Sequence, residues 1–276
     1  MAKAYDQVSW SFLRSILMEI GLPNNWVSLI MSCVTSTQLS VLWNGETTES
    51  FAPGRDLRQG DPLSPYLFVL CLEKLSHIIQ DAVSSKRWKP IQIGRKCPPI
   101  SHLFFADDLM LFAEASRSQM ETILQCLEVF CDISGQVVSL PKSKMYVSPN
   151  FHKPTAREIS SLANIPLTAD MGKYLGVPLI HKRVSKATYY HILEKVQQRL
   201  SGWKAEQLTM AGRTLLVQSV TSALPAYTMQ TTRIPATISH EIDMCNCRFG
   251  STEGKKKIHL VAWDKVCQPK ENGGWG

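Results

Sequence analysis

Apolar residues recur at helical spacing from the start of the chain. Val8, Phe12, Leu13, Ile16 and Ile20 line one face, which predicts a helix over 6–20 that Gly21 and Pro23 end. A second helix is predicted over 24–35. Between 38 and 52 apolar and polar positions alternate around Asn44-Gly45, a turn pair that strongly favours a two-residue hairpin. Pro62 to about Ser84 reads as a long helix with proline at or near its first turn. Residues 103–112 read as two short strands, 117–133 as a helix capped by Gly135, 137–147 as an alternating strand and 155–163 as a short helix. After about 183 the strand signals stop. Tyr189, Leu193, Val196 and Leu200 form one helical face, 210–223 forms another helix before Pro225, and Pro235 starts a further one.

Helices and hairpins without strict β-α-β alternation predict an α+β fold, an antiparallel sheet with helices on one face. That part spans 1–180, and a mostly helical part spans 181–276. The 276 residues are 44% apolar, enough for one large or two modest globular domains. No apolar run approaches the length of a bilayer span, and the N-terminus lacks the pattern of a secretory signal. The eight cysteines form no C-x-x-C pair. Cys245, Cys247, His259 and Cys267 can be imagined as a zinc set, but scattered thiols in a reducing compartment explain them better.

Charge changes the picture. The net charge is +7, yet residues 1–135 carry 11 basic and 14 acidic side chains, and residues 136–276 carry 19 and 9. A basic excess confined to one half suits contact with a polyanion there, although a solvated basic surface would have the same composition.

The candidate chemistry centres on Phe104-Phe105-Ala106-Asp107-Asp108-Leu109. Two carboxylates lie between two apolar runs, at the tip of the predicted hairpin. Adjacent residues on a strand face opposite ways, but a tight turn can aim both carboxylates at one place. Hard oxygen ligands of this kind suit Mg²⁺. On the pair alone, an ordinary solvated turn is an equal reading.

Other segments shift the balance. Residues 2–6 read Ala-Lys-Ala-Tyr-Asp, 58–65 Arg-Gln-Gly-Asp-Pro-Leu-Ser-Pro, 139–144 Ser-Leu-Pro-Lys-Ser-Lys and 173–179 Lys-Tyr-Leu-Gly-Val-Pro-Leu. In this order, with the Asp pair between, they resemble motifs A, B, C, D and E of the reverse transcriptase domain of non-LTR (LINE-type) retrotransposons. The remaining chain resembles the region after the polymerase in plant elements of this kind. The matching residues are Trp203, Leu208, Ala211-Gly212-Arg213, Gln218-Ser219-Val220, Pro225-Ala226-Tyr227, Pro269-Lys270 and Gly273-Gly274.

The resemblance implies a polymerase palm over 1–180 and a helical thumb or connection region over 181–276. It implies RNA-directed DNA synthesis with an RNA template, a DNA primer, dNTPs and two Mg²⁺ ions, Mn²⁺ being an alternative, in the nucleus or cytoplasm. Asp107 and Asp108 become metal ligands. Tyr5 becomes the aromatic gate that excludes a ribose 2′-hydroxyl; on its own it reads as a half-buried aromatic at a helix start. Arg58, Gln59 and Gly60 become the nucleotide and template pocket, or a loop-to-helix junction with a solvated arginine. Lys142 becomes a proton donor near the leaving pyrophosphate, with Lys144 an alternative and a surface lysine the commoner meaning of either. Tyr174, Leu175 and Gly176 become the primer grip. Trp203, Lys204 and Arg213 become duplex contacts, with Trp203 equally a core anchor.

Two departures matter. Motif A in the family begins with an aspartate four residues before the alanine that precedes the aromatic, and Ala4-Tyr5 puts that position just before Met1. Asp6 follows the aromatic and reads as an acidic residue at the start of the next helix. The family's asparagine three residues before the Lys-Ser step of motif D is Ser139 here. The expectation is therefore a palm and thumb fragment cut inside an active-site strand, inactive as it stands. A non-catalytic nucleic-acid-binding relic is the alternative, and a group II intron maturase-like protein a weaker one that the plant-type tail disfavours.

Overall fold

The computed structural model describes residues 1, 3–180, 186–202, 207–250 and 271. The chain forms two compact units, Met1–Met171 and Gly172–Gly276. This division precedes the boundary expected at 180, so the hairpin at Tyr174 belongs to the second unit.

The first unit is built on helices. Helix α1 (Trp10–Glu19) buries Phe12, Leu13, Ile16 and Leu17, and α2 (Asn24–Thr35) buries Val27 and Met31. Helix α3 (Ser64–Ser84), the longest among the described residues, buries Leu67, Phe68, Cys71, Leu72, Leu75 and Ile79 on one stripe. Helix α4 (Arg117–Ser134) adds Cys126 and Phe130, and α5 (Lys153–Ala163) follows. Phe12 meets Phe130 edge-on at 6.1 Å between ring centroids, a favoured aromatic geometry. Trp88 is fully buried, and its indole N–H donates to the Phe112 carbonyl at 2.9 Å.

Strand content is small. Strands β1 (Leu42–Trp43) and β2 (Glu46–Thr47) close the Asn44-Gly45 hairpin. Strands β3 (His102–Phe105) and β4 (Asp108–Leu111) pair antiparallel in the register Phe105↔Asp108. Among the described residues these hairpins stay two-stranded, so the mixed fold has small antiparallel sheets instead of the single sheet expected.

Three local differences have physical reasons. The first predicted helix is split into a 3₁₀ turn at Tyr5–Gln7 and α1. Backbone bonds from Leu57 N–H to Tyr5 O (3.0 Å) and from Asp56 N–H to Val8 O (3.2 Å) hold the intervening chain extended. Helix α3 starts at Ser64 because Asp61 Oδ1 accepts from Leu63 N–H at 2.7 Å, turning the chain first; Pro65, not Pro62, sits in its first turn. The strand expected over 137–147 is a 3₁₀ turn at Leu140–Lys142 followed by a single parallel bridge from Met145 to Leu167. Pro141 has no N–H for a ladder, which disfavours a strand there.

In the second unit, strands β5 (Lys173–Tyr174) and β6 (Val177–Pro178) form a hairpin. Tyr189, with Ile192, Val196 and Leu200 of α6 (Tyr190–Leu200), packs on Ile238 and Ile242 of a helix at Ala236–Gly250. The helix expected over 210–223 is α-helical at Met210–Leu216 and widens to a π turn at Val217–Thr221. No described helix is long and apolar enough to cross a membrane.

Candidate active site at the hairpin tip

The β3–β4 hairpin presents the two aspartates. Phe104, Leu109 and Leu111 face inward onto the helical core. The opposite face carries Leu103, Phe105 and, by the cross-strand register, Met110 and Asp108. Phe105 is 59% exposed. Ala106 and Asp107 form the connecting turn, with Ala106 at φ +48°. A residue with a Cβ in that region carries a strain of roughly 1–2 kcal/mol, the kind of cost that persists where neighbours over-determine the backbone. Both carboxylates are exposed, and neither enters an ion pair among the described residues. His102 anchors the base of the hairpin. Its Nε2 hydrogen-bonds the Ser76 hydroxyl of α3 at 2.9 Å and its Nδ1 the Ser101 hydroxyl at 3.0 Å. Burial pushes its imidazole below the usual histidine pKa, against the attraction of Glu73.

The chain start lies against this turn. The Met1 ammonium donates to the Asp107 carbonyl at 3.1 Å. Tyr5, four residues on, stacks on Phe68 of α3 with 4.8 Å between ring centroids and 19° between planes. The first, second and third of the sequence segments are thereby brought onto one core. Asp6 is in the 3₁₀ turn and exposed.

The loop over residues 58–61 is tied to α2 through its arginine. Arg58 donates from Nη2 to the Cys33 carbonyl at 3.0 Å and from Nε to Thr37 Oγ1 at 3.2 Å. It thus satisfies a carbonyl left open at the C-terminal end of α2. Gln59 and Gly60 are exposed, and Gly60, at φ +91°, has nothing within 4 Å of where a Cβ would stand. Lys142 and Lys144 are exposed, with the Lys142 N–H bonded to Ser139 O at 3.1 Å. Leu175 and Gly176 make the β5–β6 turn in the second unit, where the Tyr227 hydroxyl donates to the Leu175 carbonyl. Arg213 lies in the same unit, with its Nη1 bonded to Phe249 O at 3.2 Å. Trp203, Lys204, His259, Cys267, Pro269-Lys270 and Gly273-Gly274 lie outside the described residues.

Several residues that hold this region escape the motif reading. Asp56 has φ +128°, and its Oδ1 is buried without a partner among the described residues. Burial raises its pKa above the usual carboxylate value, and the neighbouring charge of Asp6 adds to this. Gln136 is 3% exposed and donates from Nε2 to the Ala4 carbonyl at 2.7 Å. Gly135, legible as a helix cap, stands at φ +77° beside Gln7. The only sequence trace of Gln136 is a polar residue between a cap glycine and Val137-Val138.

Two exposed carboxylates on successive residues suit a Mg²⁺ ion that takes its other oxygens from substrate phosphates and water. Among the described residues no group of three or more His, Cys, Asp or Glu gathers to hold a metal by itself.

The Asp-Asp hairpin tip, the chain start with Tyr5 and helix α3 thus meet on one core. The family described as "Reverse transcriptase (RNA-dependent DNA polymerase)" matches residues 1–179, and the chain belongs to that family. It is 44% identical over 102 residues to the Arabidopsis thaliana protein named "Putative ribonuclease H protein", covering 36% of this chain and 16% of that one. It is 30% identical over 142 residues to the Pol polyprotein of the Drosophila melanogaster type-2 retrotransposable element R2DM, covering 51% and 13%. It is 27% identical over 228 residues to the 149 kDa protein of the Xenopus laevis transposon TX1, covering 80% and 16%. The chain spans less than a fifth of each of these three relatives.

Proposed function

We propose that this chain carries the palm and thumb of an RNA-directed DNA polymerase from a plant non-LTR retrotransposon. The observation that carries the reading is the Asp107–Asp108 hairpin tip set against the chain start, where the motif A segment runs into Tyr5. The first unit is the palm and the helical second unit the thumb or connection region. The substrates are an RNA template, a DNA primer and dNTPs.

Asp107 and Asp108 would hold divalent metal, Mg²⁺ with Mn²⁺ as an alternative, which when bound would supply a lowered pKa to an attacking 3′-hydroxyl and charge neutralisation to a leaving pyrophosphate. Tyr5, fixed flat on Phe68, is the sugar gate. Gln59 and Gly60 offer exposed backbone to a nucleotide, and Arg58 braces that loop through α2. Lys142 is the proton donor to pyrophosphate. Tyr174, Leu175 and Gly176 grip the primer end, with Tyr227 bonded to the turn.

A non-catalytic, nucleic-acid-binding chain is the second reading. It is favoured by one observation, that among the described residues no third carboxylate joins Asp107 and Asp108. Primer extension separates the two. The purified 276-residue polypeptide is expected not to extend a DNA primer on RNA in Mg²⁺. A longer polypeptide supplying the motif A aspartate and the fingers is expected to do so, and Asp107→Asn should abolish that activity. Losing a metal ligand costs on the order of a thousandfold in rate or more. Extension by the 276-residue polypeptide that Asp107→Asn removes would overturn the non-catalytic reading. A longer polypeptide indifferent to Asp107→Asn would overturn the polymerase site itself.

A further inference from the structure

The end of α4 grips the segment that carries Tyr5 at three successive residues. The Ser134 carbonyl accepts from Ser9 N–H at 3.0 Å. At Gly135 a Cβ would stand 2.9 Å from the Gln7 carbonyl, so only glycine admits this approach of the two backbones. The Gln136 side-chain amide donates to the Ala4 carbonyl at 2.7 Å. The Ser134 hydroxyl, bonded to Phe130 O at 2.6 Å and accepting from Gln136 N–H at 3.1 Å, fixes the turn itself. On its other side Tyr5 lies flat on Phe68.

Gln136 is an odd residue to bury for stability alone. Its side chain is almost wholly out of solvent, yet Oε1 has no partner among the described residues. A buried acceptor left open is unfavourable, and an apolar side chain of similar volume would avoid it. What an apolar side chain cannot do is hold the carbonyl of Ala4, the residue directly before Tyr5.

We propose that Gln136 is a positioning residue for sugar selection: with Ser134 and Gly135 it sets the height of the Tyr5 ring against Phe68. This rests on reading Tyr5 as the gate. A ring free to shift on Phe68 would separate a deoxyribose from a ribose less sharply. A clamp one residue from the ring, seated on the end of a packed helix, removes that freedom.

The test uses the 276-residue chain with 3-fluorotyrosine at its seven tyrosines, the Tyr5 signal being assigned by Tyr5→Phe. In Gln136→Met, which keeps volume and loses the donor, the Tyr5 fluorine resonance should move toward its position in Phe68→Leu, where the stacking partner is gone. The other six resonances should stay in place. An unmoved Tyr5 signal, or a common shift of all seven, overturns the clamp. If Gln136→Met does not fold, the unsubstituted chain decides. Nuclear Overhauser contacts from the Gln136 side-chain amide to Ala4 and Tyr5 support the clamp, and their absence overturns it.

The gate reading is tested apart from this, in a longer active polypeptide. Gln136→Met should raise ribonucleotide incorporation relative to deoxyribonucleotide about tenfold through KM for the ribonucleotide, with kcat for dNTP little changed, as the loss of one positioning hydrogen bond worth about 1.4 kcal/mol implies. If Tyr5→Ala leaves sugar discrimination unchanged, the gate reading fails and the selectivity role with it, while the fluorine result for the clamp still stands. If Tyr5→Ala relaxes discrimination and Gln136→Met does not, the positioning role alone is overturned.

Discussion

Replacing Gly135 by alanine tests the contact on which the Tyr5 segment depends. Two penalties add. Residue 135 sits at φ +77°, where a residue with a Cβ loses roughly 1–2 kcal/mol. The new Cβ would also stand 2.9 Å from the Gln7 carbonyl oxygen, a backbone atom that cannot swing aside. Relieving such overpacking costs roughly 1–3 kcal/mol in backbone displacement. The expected loss is therefore about 2–5 kcal/mol. Gly60→Ala supplies the control, since Gly60 has φ +91° but open space around its Cβ position. It should show the conformational penalty alone, about 1–2 kcal/mol. Urea unfolding followed by fluorescence of the buried Trp88 and by circular dichroism gives both values by linear extrapolation. For a unit of 171 residues the thermal midpoint of Gly135→Ala should fall by roughly 5–15 °C. Equal losses in the two variants would show that the close approach to Gln7 is not made in solution. A loss below about 1 kcal/mol at Gly135 would refute the left-handed cap as well.

Asp56→Asn should stabilise the chain at neutral pH, because burial and the Asp6 charge raise the Asp56 pKa above its usual value. A carboxyl whose folded pKa is raised weakens the fold above that pKa and carries no penalty once protonated in both states. The gain in thermal midpoint should thus be present at pH 7 and vanish below the ordinary value of 3.8; an equal gain at both ends would exclude the charge as its cause. Binding to RNA–DNA duplex should be weak and salt-sensitive, carried mainly by residues after 136, where 19 basic side chains face 9 acidic ones. Log affinity measured by fluorescence anisotropy should fall linearly with log salt, and salt-independent binding would contradict a phosphate-directed surface.

Much of the local structure was legible from short-range signals. Helix α2 runs over Asn24–Thr35 as its periodicity predicts, and α4 ends at Gly135 as its cap signal predicts. The Asn44-Gly45 turn and the Asp-bearing hairpin form where alternation and turn residues place them. These features depend on residues within a few positions of one another, which is what a sequence window contains. The motif series also carried the family, because it fixes which side chains stand at each segment whatever the packing between them.

Tertiary structure decided the rest. The first helix breaks at Val8–Ser9 because residues 55–57 offer it backbone partners from fifty positions away. Pro141 and the Ser139 carbonyl turn the expected strand at 137–147 into a 3₁₀ turn. Arg58 is drawn to the end of α2 by a carbonyl that no sequence pattern shows to be open. The orientation of Tyr5 is the clearest case. Its identity is written in the chain, but its ring stacks on Phe68, 63 residues away, and the carbonyl of Ala4 before it is held by Gln136, 132 residues from Ala4. Hydrogen bonds and ring contacts between distant segments have no period and no local propensity. They exist only once the helices that carry them have packed.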